Sequence, residues 1–379
     1  MIAAAETARF SRALPYWVSL LLVPLVALAA LRGGWTLLLP PAGAWWLYIL
    51  LDAAAGQNHD NPDPDTPEPG LLWYRVVTWI WLPVQIAMIY GSILVAVRGG
   101  GLAGWEQVGL MLGVGVLSGA IGIVYAHELM HQPGRGERWL ADLLLATVLY
   151  SHFRSEHLLV HHPWVGTPRD AVTARYNEGF HRYFVRVIAQ GLPAAWAAER
   201  AKLARRGRGA FHPANPFWRY LGLQGLALAG AVLAGGWLGV GLFALQALVA
   251  IWQLEMTNYV EHYGLTRKHL GGGKYEPVRP HHSWNADHRA TSWLLINLPR
   301  HSDHHAKPAR RYPLLQTYPA ALAPQLPFGY AAMGFIAMVP PVWRRLMNPR
   351  VRRWRAEHYP EIEDWAPYRD GGLPLPELR

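Results

Sequence analysis

The chain has 379 residues and a composition that is unusual for a soluble protein. Hydrophobic residues make up 52% of the chain and charged residues only 16%, whereas charged residues make up about 25% of a typical globular domain. The absence of cysteine excludes disulfide bonds, cysteine nucleophiles, Cys-ligated iron–sulfur clusters and rubredoxin-type iron sites. Any bound metal must therefore be held by nitrogen and oxygen ligands.

The apolar residues form long blocks, and a helix needs about 20 such residues to cross a bilayer. Six blocks are predicted to be transmembrane helices: 16–32, 34–51, 71–97, 105–126, 217–235 and 237–262. Only Gly235-Gly236 separates the last two blocks. A seventh apolar stretch at 329–346 is shorter, contains Pro340-Pro341, and is predicted to be interfacial or packed on the protein. The sequence thus predicts an all-α membrane protein with six transmembrane helices.

The formal net charge of +10 is distributed unevenly along the chain. If the N-terminus is cytoplasmic, 33 of the 35 Lys and Arg residues lie on the cytoplasmic side, and only Arg32 and Arg98 lie in the opposite loops. This bias is the positive-inside distribution of a multi-pass membrane protein. We therefore predict a bacterial-type inner membrane protein with both termini in the cytoplasm, contact with membrane lipid, and no nucleic-acid partner.

Nine of the eighteen histidines fall into four groups with the spacing of metal ligands. The groups are His127 and His131 in H-E-x-x-H, His157, His161 and His162 in H-x-x-x-H-H, His262 in N-Y-V-E-H-Y-G, and His301, His304 and His305 in H-x-x-H-H. Two histidines four residues apart on a helix share one face and can chelate one metal, and the third His of an H-H pair can reach a neighbouring ion. One such box is weak evidence, but three boxes in one chain predict a metal centre.

The predicted topology allows all four groups to converge. His127 follows the fourth span and His262 ends the sixth, both on the cytoplasmic side, and the other boxes lie in the cytoplasmic segments 127–216 and 263–379. Glu255 lies seven residues before His262 on the same helix face, and a carboxylate at such a depth is a functional candidate. The sequence therefore predicts a histidine-rich di-metal region at the membrane–cytoplasm boundary.

Two chemistries fit these spacings. H-E-x-x-H is the zinc protease signature, with Glu128 as general base, but a zinc protease needs only two His, one further ligand and an open position. Nine histidines suit two ions, and imidazole ligands fit iron, copper or zinc. A redox metal beside a membrane-buried cavity favours O2 chemistry on an apolar substrate. Spacing alone leaves a membrane zinc metalloprotease as the alternative.

Beyond these spacings, the chain resembles the alkane 1-monooxygenases, a branch of the membrane-bound di-iron desaturase and hydroxylase superfamily. The resemblance rests on residues 258–265 (NYVEHYGL) and 298–305 (LPRHSDHH), with support from 167–170, 282–285 and 326–330. It runs from about the first span to residue 355. It implies one integral-membrane di-iron hydroxylase domain over 1–355, followed by a polar C-terminal tail over 356–379.

In that family, two non-haem irons held by the histidine boxes activate O2 and hydroxylate a terminal methyl group. The resemblance therefore implies conversion of medium- or long-chain n-alkanes to 1-alkanols, with electrons from a rubredoxin or ferredoxin served by an NAD(P)H reductase. A membrane fatty acid desaturase or hydroxylase, or an alkyl-aromatic methyl hydroxylase, would share the metal site and remains the alternative within the superfamily.

Each predicted role can be assigned to residues of this chain. The predicted iron ligands are His127, His131, His157, His161, His162, His262, His301, His304 and His305. The carboxylates expected to orient their rings are Glu128, Glu156, Glu255, Glu261 and Asp303. The predicted lining of an apolar substrate tunnel between helices is Trp45, Trp46 and Trp79. The basic residues considered for docking an acidic electron donor, or for binding lipid headgroups, are Arg205, Arg206, Arg208, Arg310, Arg311, Arg344 and Arg345.

Overall fold

A computed structural model describes residues 10–368, and this part of the chain is all-helical apart from its connecting loops. The helices are α1 (Phe10–Arg32), α2 (Gly34–Ala55), α3 (Glu68–Arg98), α4 (Gly104–His131), α5 (Arg135–Ala146), α6 (153–164), α7 (Phe180–Ala204), α8 (Phe217–His262), α9 (Arg289–Leu294), α10 (His301–Ala306), α11 (Tyr330–Ala337) and α12 (Pro340–His358). Within residues 10–368, β-structure is limited to isolated bridges. The all-α prediction is confirmed.

Five of these helices, α1 to α4 and α8, are long and apolar enough to cross a membrane. They coincide with the predicted blocks, except that 217–235 and 237–262 belong to the single 46-residue α8. The backbone of α8 is not helical at Gly235 or Gly236, and the φ of 59° at Gly236 favours glycine there. The break lies where the sequence predicts the boundary between two blocks.

The chain doubles back at this break, so that α8 is a helical hairpin. Tyr90 of α3 donates a hydrogen bond to the carbonyl of Ala227, before the break, and its ring stacks on Phe243, after the break, at 5.9 Å. Ala227 and Phe243 would be roughly 24 Å apart along a continuous helix. One side chain therefore contacts both arms of the hairpin.

Small residues let the second arm of α8 pack closely against α4. A Cβ atom at Gly119 would lie 2.9 Å from the backbone of Ala250, and one at Gly115 would lie 2.6 Å from the carbonyl oxygen of Gln246. Small residues permit such close backbone approach between apolar helices. This contact brings the C-terminal ends of α4 and α8, which carry His131 and His262, to the same end of the bundle.

The N-terminal ends of α2 and α4 are joined by Glu106. One carboxylate oxygen caps α4 by accepting the backbone N–H of Ala103 at 2.7 Å, and the other accepts the N–H of Gly34 at 2.7 Å. A carboxylate at the first turn of a helix also interacts favourably with the helix dipole. The two helices are therefore held together at the end of the bundle opposite the histidines.

The seventh apolar stretch packs on the protein as α11 and the start of α12, separated by a short break at Met338 and Val339. Tyr359, within the predicted tail, is only 4% exposed and packs against Trp354, and Tyr368 is 7% exposed. The first part of the predicted polar tail is therefore folded onto the domain. The rest of that prediction, residues 369–379, lies outside the described residues.

Candidate metal centre

The histidines of α4 and α6 are positioned by unusual helical turns. α4 contains a π-helical segment, Ser118–Ile123, immediately before the α-helical segment Val124–His131, which carries His127. In α6 the segment His157–His161 is itself π-helical, and such turns occur frequently at functional sites. The rings of His157 and His161, four residues apart in this turn, stack with their centroids 5.1 Å apart.

The structure brings eight of the nine predicted histidines into two groups whose ring nitrogens lie within 4.8 Å of one another. The first histidine group is His127, His131, His157 and His304. The second histidine group is His161, His262, His301 and His305. The i, i+4 pairs of the first and last boxes each stay within one group, as expected, but the pair in α6 is divided between the two. An i, i+4 pair can chelate one metal, but the rings of His157 and His161, stacked 5.1 Å apart, fall in different groups.

The ninth histidine, His162, lies between the groups. Its Nε2 is 2.9 Å from Nε2 of His157 and 3.3 Å from Nε2 of His131, and its ring contacts His305 of the second group at 4.7 Å between centroids. All nine predicted histidines therefore meet at one place. They come from four separate parts of the chain.

The distances within each group fit metal ligation. In the first group Nε2 of His157 is 3.0 Å from Nε2 of both His127 and His131. In the second group Nε2 of His301 is 3.0 Å from Nε2 of both His262 and His305. Nitrogens bound to one metal at about 2.1 Å and at right angles are about 3.0 Å apart. The Nε2 atoms in each group are therefore spaced as the ligands of one metal ion would be.

The chemistry of the buried nitrogens supports the same conclusion. Nε2 of His161 and Nε2 of His304 have no hydrogen-bond partner among residues 10–368, although both atoms are buried. Burial, together with the neighbouring imidazoles, holds the pKa of His157 and His301 well below the usual range. The rings are therefore neutral and keep a lone pair, as metal binding requires. The donor set fits a pair of metal ions.

Two carboxylates contact the far side of ligand rings. Oδ2 of Asp170 lies 2.9 Å from Nδ1 of His161, and Oε1 of Glu261 lies 3.3 Å from Nδ1 of His301. The Asp170 contact is a hydrogen bond, and such a partner fixes the tautomer and orientation of a ligating ring, whereas the atoms of the Glu261 contact are not hydrogen-bonded to each other. Glu261 is one of the predicted carboxylates, but Asp170 was not predicted for this role. Its place in the T-P-R-D stretch that carries the family resemblance is the signal that could have identified it.

The other predicted carboxylates make different contacts. Glu128 accepts a hydrogen bond from Gln132 at 2.9 Å, and Asp303 pairs with Arg310 at 2.6 Å. Glu156 is 3% exposed, and neither of its oxygens has a hydrogen-bond partner among the described residues. Glu255 accepts hydrogen bonds from two tyrosines and an asparagine: Tyr150 at 3.0 Å, Tyr183 at 3.1 Å and Asn258 at 3.2 Å. Among residues 10–368, none of these four carboxylates is hydrogen-bonded to a histidine of the two groups.

An apolar cavity of about 120 Å³ leads to the histidines. His127 and His157 of the first group and His301 of the second line one end, and mostly apolar residues of α2, α4, α8, α9 and α11 line the rest. Trp45 lines this cavity as predicted. Trp46 lies outside it and stacks on Phe335, a lining residue, at 4.5 Å.

Trp79, the third tryptophan predicted to line the tunnel, lies elsewhere. Its indole N–H donates to Glu137 at 3.3 Å, and the guanidinium of Arg75 lies over its ring. Arg311 joins the same cluster through Glu137 at 3.0 Å and through Glu68 at 2.6 Å. The cluster of Arg75, Trp79, Glu137, Glu68 and Arg311 ties the loop after α10 to α3 and α5.

The predicted docking arginines differ in exposure. Arg205, Arg206 and Arg208 are exposed in the loop after α7, Arg345 is exposed on α12, and Arg344 is half-buried. Arg311 is only 6% exposed, because the carboxylates of Glu68 and Glu137 surround it. Arg310 is half-buried against Asp303. The structure thus corrects the prediction for Arg311, which offers no surface to a partner.

A third cluster of potential ligands consists of Glu276, His281 and His282. The hydroxyl of Tyr359 lies at its centre, 2.7 Å from Nε2 of His282 and 3.1 Å from Nε2 of His281, and is hydrogen-bonded to Glu276. The backbone N–H of Arg279 donates to Nδ1 of His282 at 2.9 Å, so Nε2 of the neutral ring carries the proton. His282 therefore donates to Tyr359, and the cluster is a hydrogen-bonded network.

The comparisons with known proteins agree with this geometry. Residues 103–337 match the model of the fatty acid desaturase family. The chain is 37% identical to alkane 1-monooxygenase 2 of Pseudomonas aeruginosa, over 92% of this chain and 94% of that relative. The chain belongs to the alkane 1-monooxygenase family. The resemblance seen in the histidine boxes is thereby confirmed.

The chain is also similar to another alkane 1-monooxygenase and, at lower identity, to a xylene/toluene monooxygenase component. Alkane 1-monooxygenase 2 of Alcanivorax borkumensis is 35% identical over 94% of each chain. The xylene/toluene monooxygenase hydroxylase component XylM of Pseudomonas putida is 27% identical over 73% of each chain. Membership makes the chain one of a family of oxidoreductases. It also leaves the alternative of a membrane zinc protease without support.

Proposed function

We propose that this chain is a membrane-bound di-iron monooxygenase that converts medium- or long-chain n-alkanes to 1-alkanols. The observation that carries the proposal is the apolar cavity that ends on His127, His157 and His301, and so on both histidine groups. An n-alkane offers no polar group for recognition, so a narrow apolar cavity is the appropriate site for it. The terminal carbon is the part of such a chain that reaches the end of a narrow cavity.

The two histidine groups are proposed to hold one iron each, with His162 placed to serve either ion. Iron held there would supply the activation of O2. Asp170 keeps the proton of His161 on Nδ1 and leaves Nε2 free for the metal. The apolar walls exclude water from the reacting carbon. One methylene more or less changes binding in such a pocket by only about 1–3 kcal/mol, so a range of chain lengths is expected.

The reaction needs an external supply of electrons. Hydroxylation of R–CH3 by O2 gives R–CH2OH and water, and it consumes two electrons and two protons beyond the substrates. The chain has no cysteine to hold a rubredoxin or iron–sulfur centre, so we propose that a separate rubredoxin or ferredoxin, reduced by an NAD(P)H reductase, docks on the cytoplasmic face. The exposed arginines at 205, 206 and 208 are candidates for that contact, as is Arg345.

The proposed arrangement in the inner membrane has six crossings and cytoplasmic termini. The two arms of α8 supply the fifth and sixth crossings, because the chain doubles back at Gly236. A single cysteine at Arg206 of the otherwise cysteine-free chain should be protected from an impermeant thiol reagent in intact cells, and one at Gly100 should react. Labelling at position 206 from outside would refute this topology.

The function itself is tested by supplying the purified, iron-loaded chain with a reductase, a rubredoxin and a panel of substrates. We expect 1-alkanols from n-alkanes and about two irons per chain. Benzylic alcohols from xylene as the main product would instead favour an aromatic methyl hydroxylase, the activity named for the XylM relative. Acyl-chain products alone would favour a desaturase or fatty acid hydroxylase.

A further inference from the structure

A line of four buried tyrosines leads away from the histidine groups: Tyr150, Tyr183, Tyr259 and Tyr263. Tyr150 is 6% exposed, and the other three are fully buried. The ring centroids of Tyr183 and Tyr259 are 5.3 Å apart, and those of Tyr259 and Tyr263 are also 5.3 Å apart. Tyr259 therefore links the two halves of this tyrosine line.

The two tyrosines nearest the histidines share one carboxylate. The hydroxyls of Tyr150 and Tyr183 donate to the two oxygens of Glu255, at 3.0 and 3.1 Å respectively. The ring of Tyr150 also stacks on Phe153 at 6.0 Å between centroids, and Phe153 contacts the ring of His157 at 5.1 Å. His157 belongs to the first histidine group, so ring contacts continue from that group to the tyrosine line.

The other end of the tyrosine line lies close to the surface. The hydroxyl of Tyr263 donates to Oδ1 of Asn348 at 2.7 Å and accepts the backbone N–H of Asn177 at 3.0 Å. Asn177 is exposed, and Asn348 is partly exposed. The ring of Trp343 contacts those of Tyr259 and Tyr263 at 5.1 and 5.3 Å. A second oxidisable ring therefore lies at this end.

The hydroxyls distinguish this line from ordinary aromatic packing. Phenylalanine would fill the same space, but tyrosine is far more easily oxidised, above all when an acceptor can take the phenol proton. Each hydroxyl has an acceptor, which is Glu255 for the first two, the carbonyl of Glu178 at 2.6 Å for Tyr259, and Asn348 for Tyr263. Electron tunnelling slows exponentially with distance, so several short steps between neighbouring rings are faster than one long step.

A metal pair that activates O2 needs a source of electrons when no alkane is present to be oxidised. Phe153 lines the apolar cavity and contacts His157, so both side chains are then open to oxidation. Oxidation of a ligating histidine would destroy the metal site. Oxidisable rings that lead away from the ligands would supply the missing electrons instead.

We infer that the tyrosine line protects the metal centre by carrying oxidising equivalents to the surface when the cavity holds no substrate. Tyr150 gives one electron to the oxidised centre and its proton to Glu255, and it regains both as Tyr183 is oxidised in turn. The electron vacancy passes through Tyr259 to Tyr263, which is restored by a hydrogen atom from a low-molecular-weight thiol. Two such events convert two thiols to a disulfide. With two electrons and two protons from the donor, they reduce O2 to two waters. This inference rests on the proposed function for the activation of O2.

The first experiment supplies the iron-loaded protein with reductase, rubredoxin, NADH and O2 but no alkane. Tyr259→Phe keeps the aromatic ring but interrupts the line between Tyr183 and Tyr263. Peptide mass spectrometry should find oxidation products at Tyr263 in the wild type, and at Phe153 and His157 in the variant. The number of NADH molecules consumed before half of the activity is lost should fall several-fold. The same pattern of oxidised residues in both proteins would overturn the inference.

Tyr90→Phe is the matched control, because it also removes a hydroxyl that donates to a backbone carbonyl, that of Ala227 at 2.8 Å. Its ring stacks on Phe243, which precedes His262 on α8 by 19 residues, or about 28 Å. This variant should match the wild type, and iron content verifies that each variant is folded. A saturating alkane should abolish the difference between Tyr259→Phe and the wild type. Faster inactivation that persists with alkane would indicate a packing defect and contradict the protective role.

The thiol step provides a second readout. Glutathione added to the alkane-free reaction should prolong the activity of the wild type and be converted to its disulfide as NADH is consumed. Tyr259→Phe should show several-fold less of both effects. Equal disulfide formation by the two proteins would contradict the transfer of oxidising equivalents through Tyr259.

A third readout needs neither iron nor turnover. A ruthenium photo-oxidant can be attached to a single cysteine at Arg345, one helical turn before Asn348, because the chain contains no other cysteine. Repeated flashes on the metal-free protein should leave oxidation products on Tyr183 when Tyr259 is present, and none when Tyr259→Phe is combined with the label. Products on Tyr183 in both proteins, or in neither, would overturn the inference. If the protein does not activate O2, the proposed function fails and this measurement decides the inference alone.

Discussion

Replacing Asp170 by asparagine should remove one nitrogen ligand from the second histidine group. The carboxylate of Asp170 is 2% exposed, and its Oδ2 accepts the N–H of His161 Nδ1 at 2.9 Å. The same oxygen accepts the hydroxyl of Thr173 at 2.7 Å, and Oδ1 accepts the backbone N–H of Val172 at 3.0 Å. Every polar contact of this carboxylate is therefore as an acceptor.

An asparagine cannot reproduce this pattern. Its single oxygen is required by the N–H of Val172, so its amide nitrogen would face Nδ1 of His161 and donate to it. The proton of the imidazole would then move to Nε2, which is the atom directed at the metal site. Loss of such a supporting contact typically costs 10- to 100-fold in metal affinity or activity. We expect a loss of that size, about 1.4–2.7 kcal/mol of binding free energy.

The assay is iron retention per chain during dialysis against a graded chelator. Asp170→Asn should lose one of the two proposed irons at a chelator strength that the wild type withstands. Thr173→Val is the control, because it removes a hydrogen bond to the same carboxylate oxygen and leaves the His161 contact in place. Retention within about twofold of the wild type in Asp170→Asn would refute the tautomer argument.

Three further outcomes are expected. His262→Ala should lose bound iron and hydroxylation, whereas His59→Ala, whose side chain is 66% exposed, should lose neither. Full iron in the His262→Ala protein would exclude His262 as a ligand. The purified chain should form no alcohol from NADH without an added electron donor. With saturating reductase, turnover should fall as salt rises from about 0.1 to 0.5 M, and Arg206→Glu should raise the apparent KM for the donor. Turnover that does not depend on salt would argue against electrostatic docking. Tyr359→Phe should lower the free energy of unfolding by about 1–3 kcal/mol, because the buried Nε2–H of His282 loses the Tyr359 hydroxyl as its acceptor. The iron content should not change. Unaltered thermal stability would contradict the hydrogen-bonded network of Tyr359 with His282.

The sequence predicts the composition of the metal site better than its internal arrangement. Spacing and charge identify all nine histidines that the structure brings together, because chelating boxes are local patterns. The division of His157 and His161 between the two groups is set by the ligands that the other helices bring to each ring, which no spacing rule reveals. Asp170 contacts its histidine from a loop nine residues away, and a lone Asp in a loop carries no signal of its own.

The sequence predicts the apolar helices well, but it does not determine where one helix ends and the next begins. Long apolar blocks are reliable evidence for helices that can cross a membrane, and all the predicted blocks coincide with helix. Whether 217–262 is one helix or two depends on the backbone at Gly235 and Gly236, where the paired glycines are the only sequence signal. The contacts of Tyr90 with both arms supply what hydropathy cannot.

Ion pairs between residues far apart along the chain also cannot be predicted from the sequence. A count of basic residues treats Arg206 and Arg311 alike, but the first is exposed and the second is enclosed by Glu68 and Glu137. Glu68 is more than two hundred residues from Arg311 along the chain. Burial of an arginine is costly unless its charge is compensated, and the compensation by Glu68 and Glu137 is visible only in three dimensions.

The division of the histidines links the two metal positions to each other and to the cavity. α4 contributes only to the first group and α8 only to the second, whereas α6 and α10 contribute to both. Neither group can form unless both short helices are in place, so a shift of either helix moves ligands of both groups. The apolar cavity ends on His127 and His157 of the first group and on His301 of the second. A methyl group at that end therefore faces both groups at once, and α4 and α8, which line the cavity, also carry ligands of the first and the second group, respectively.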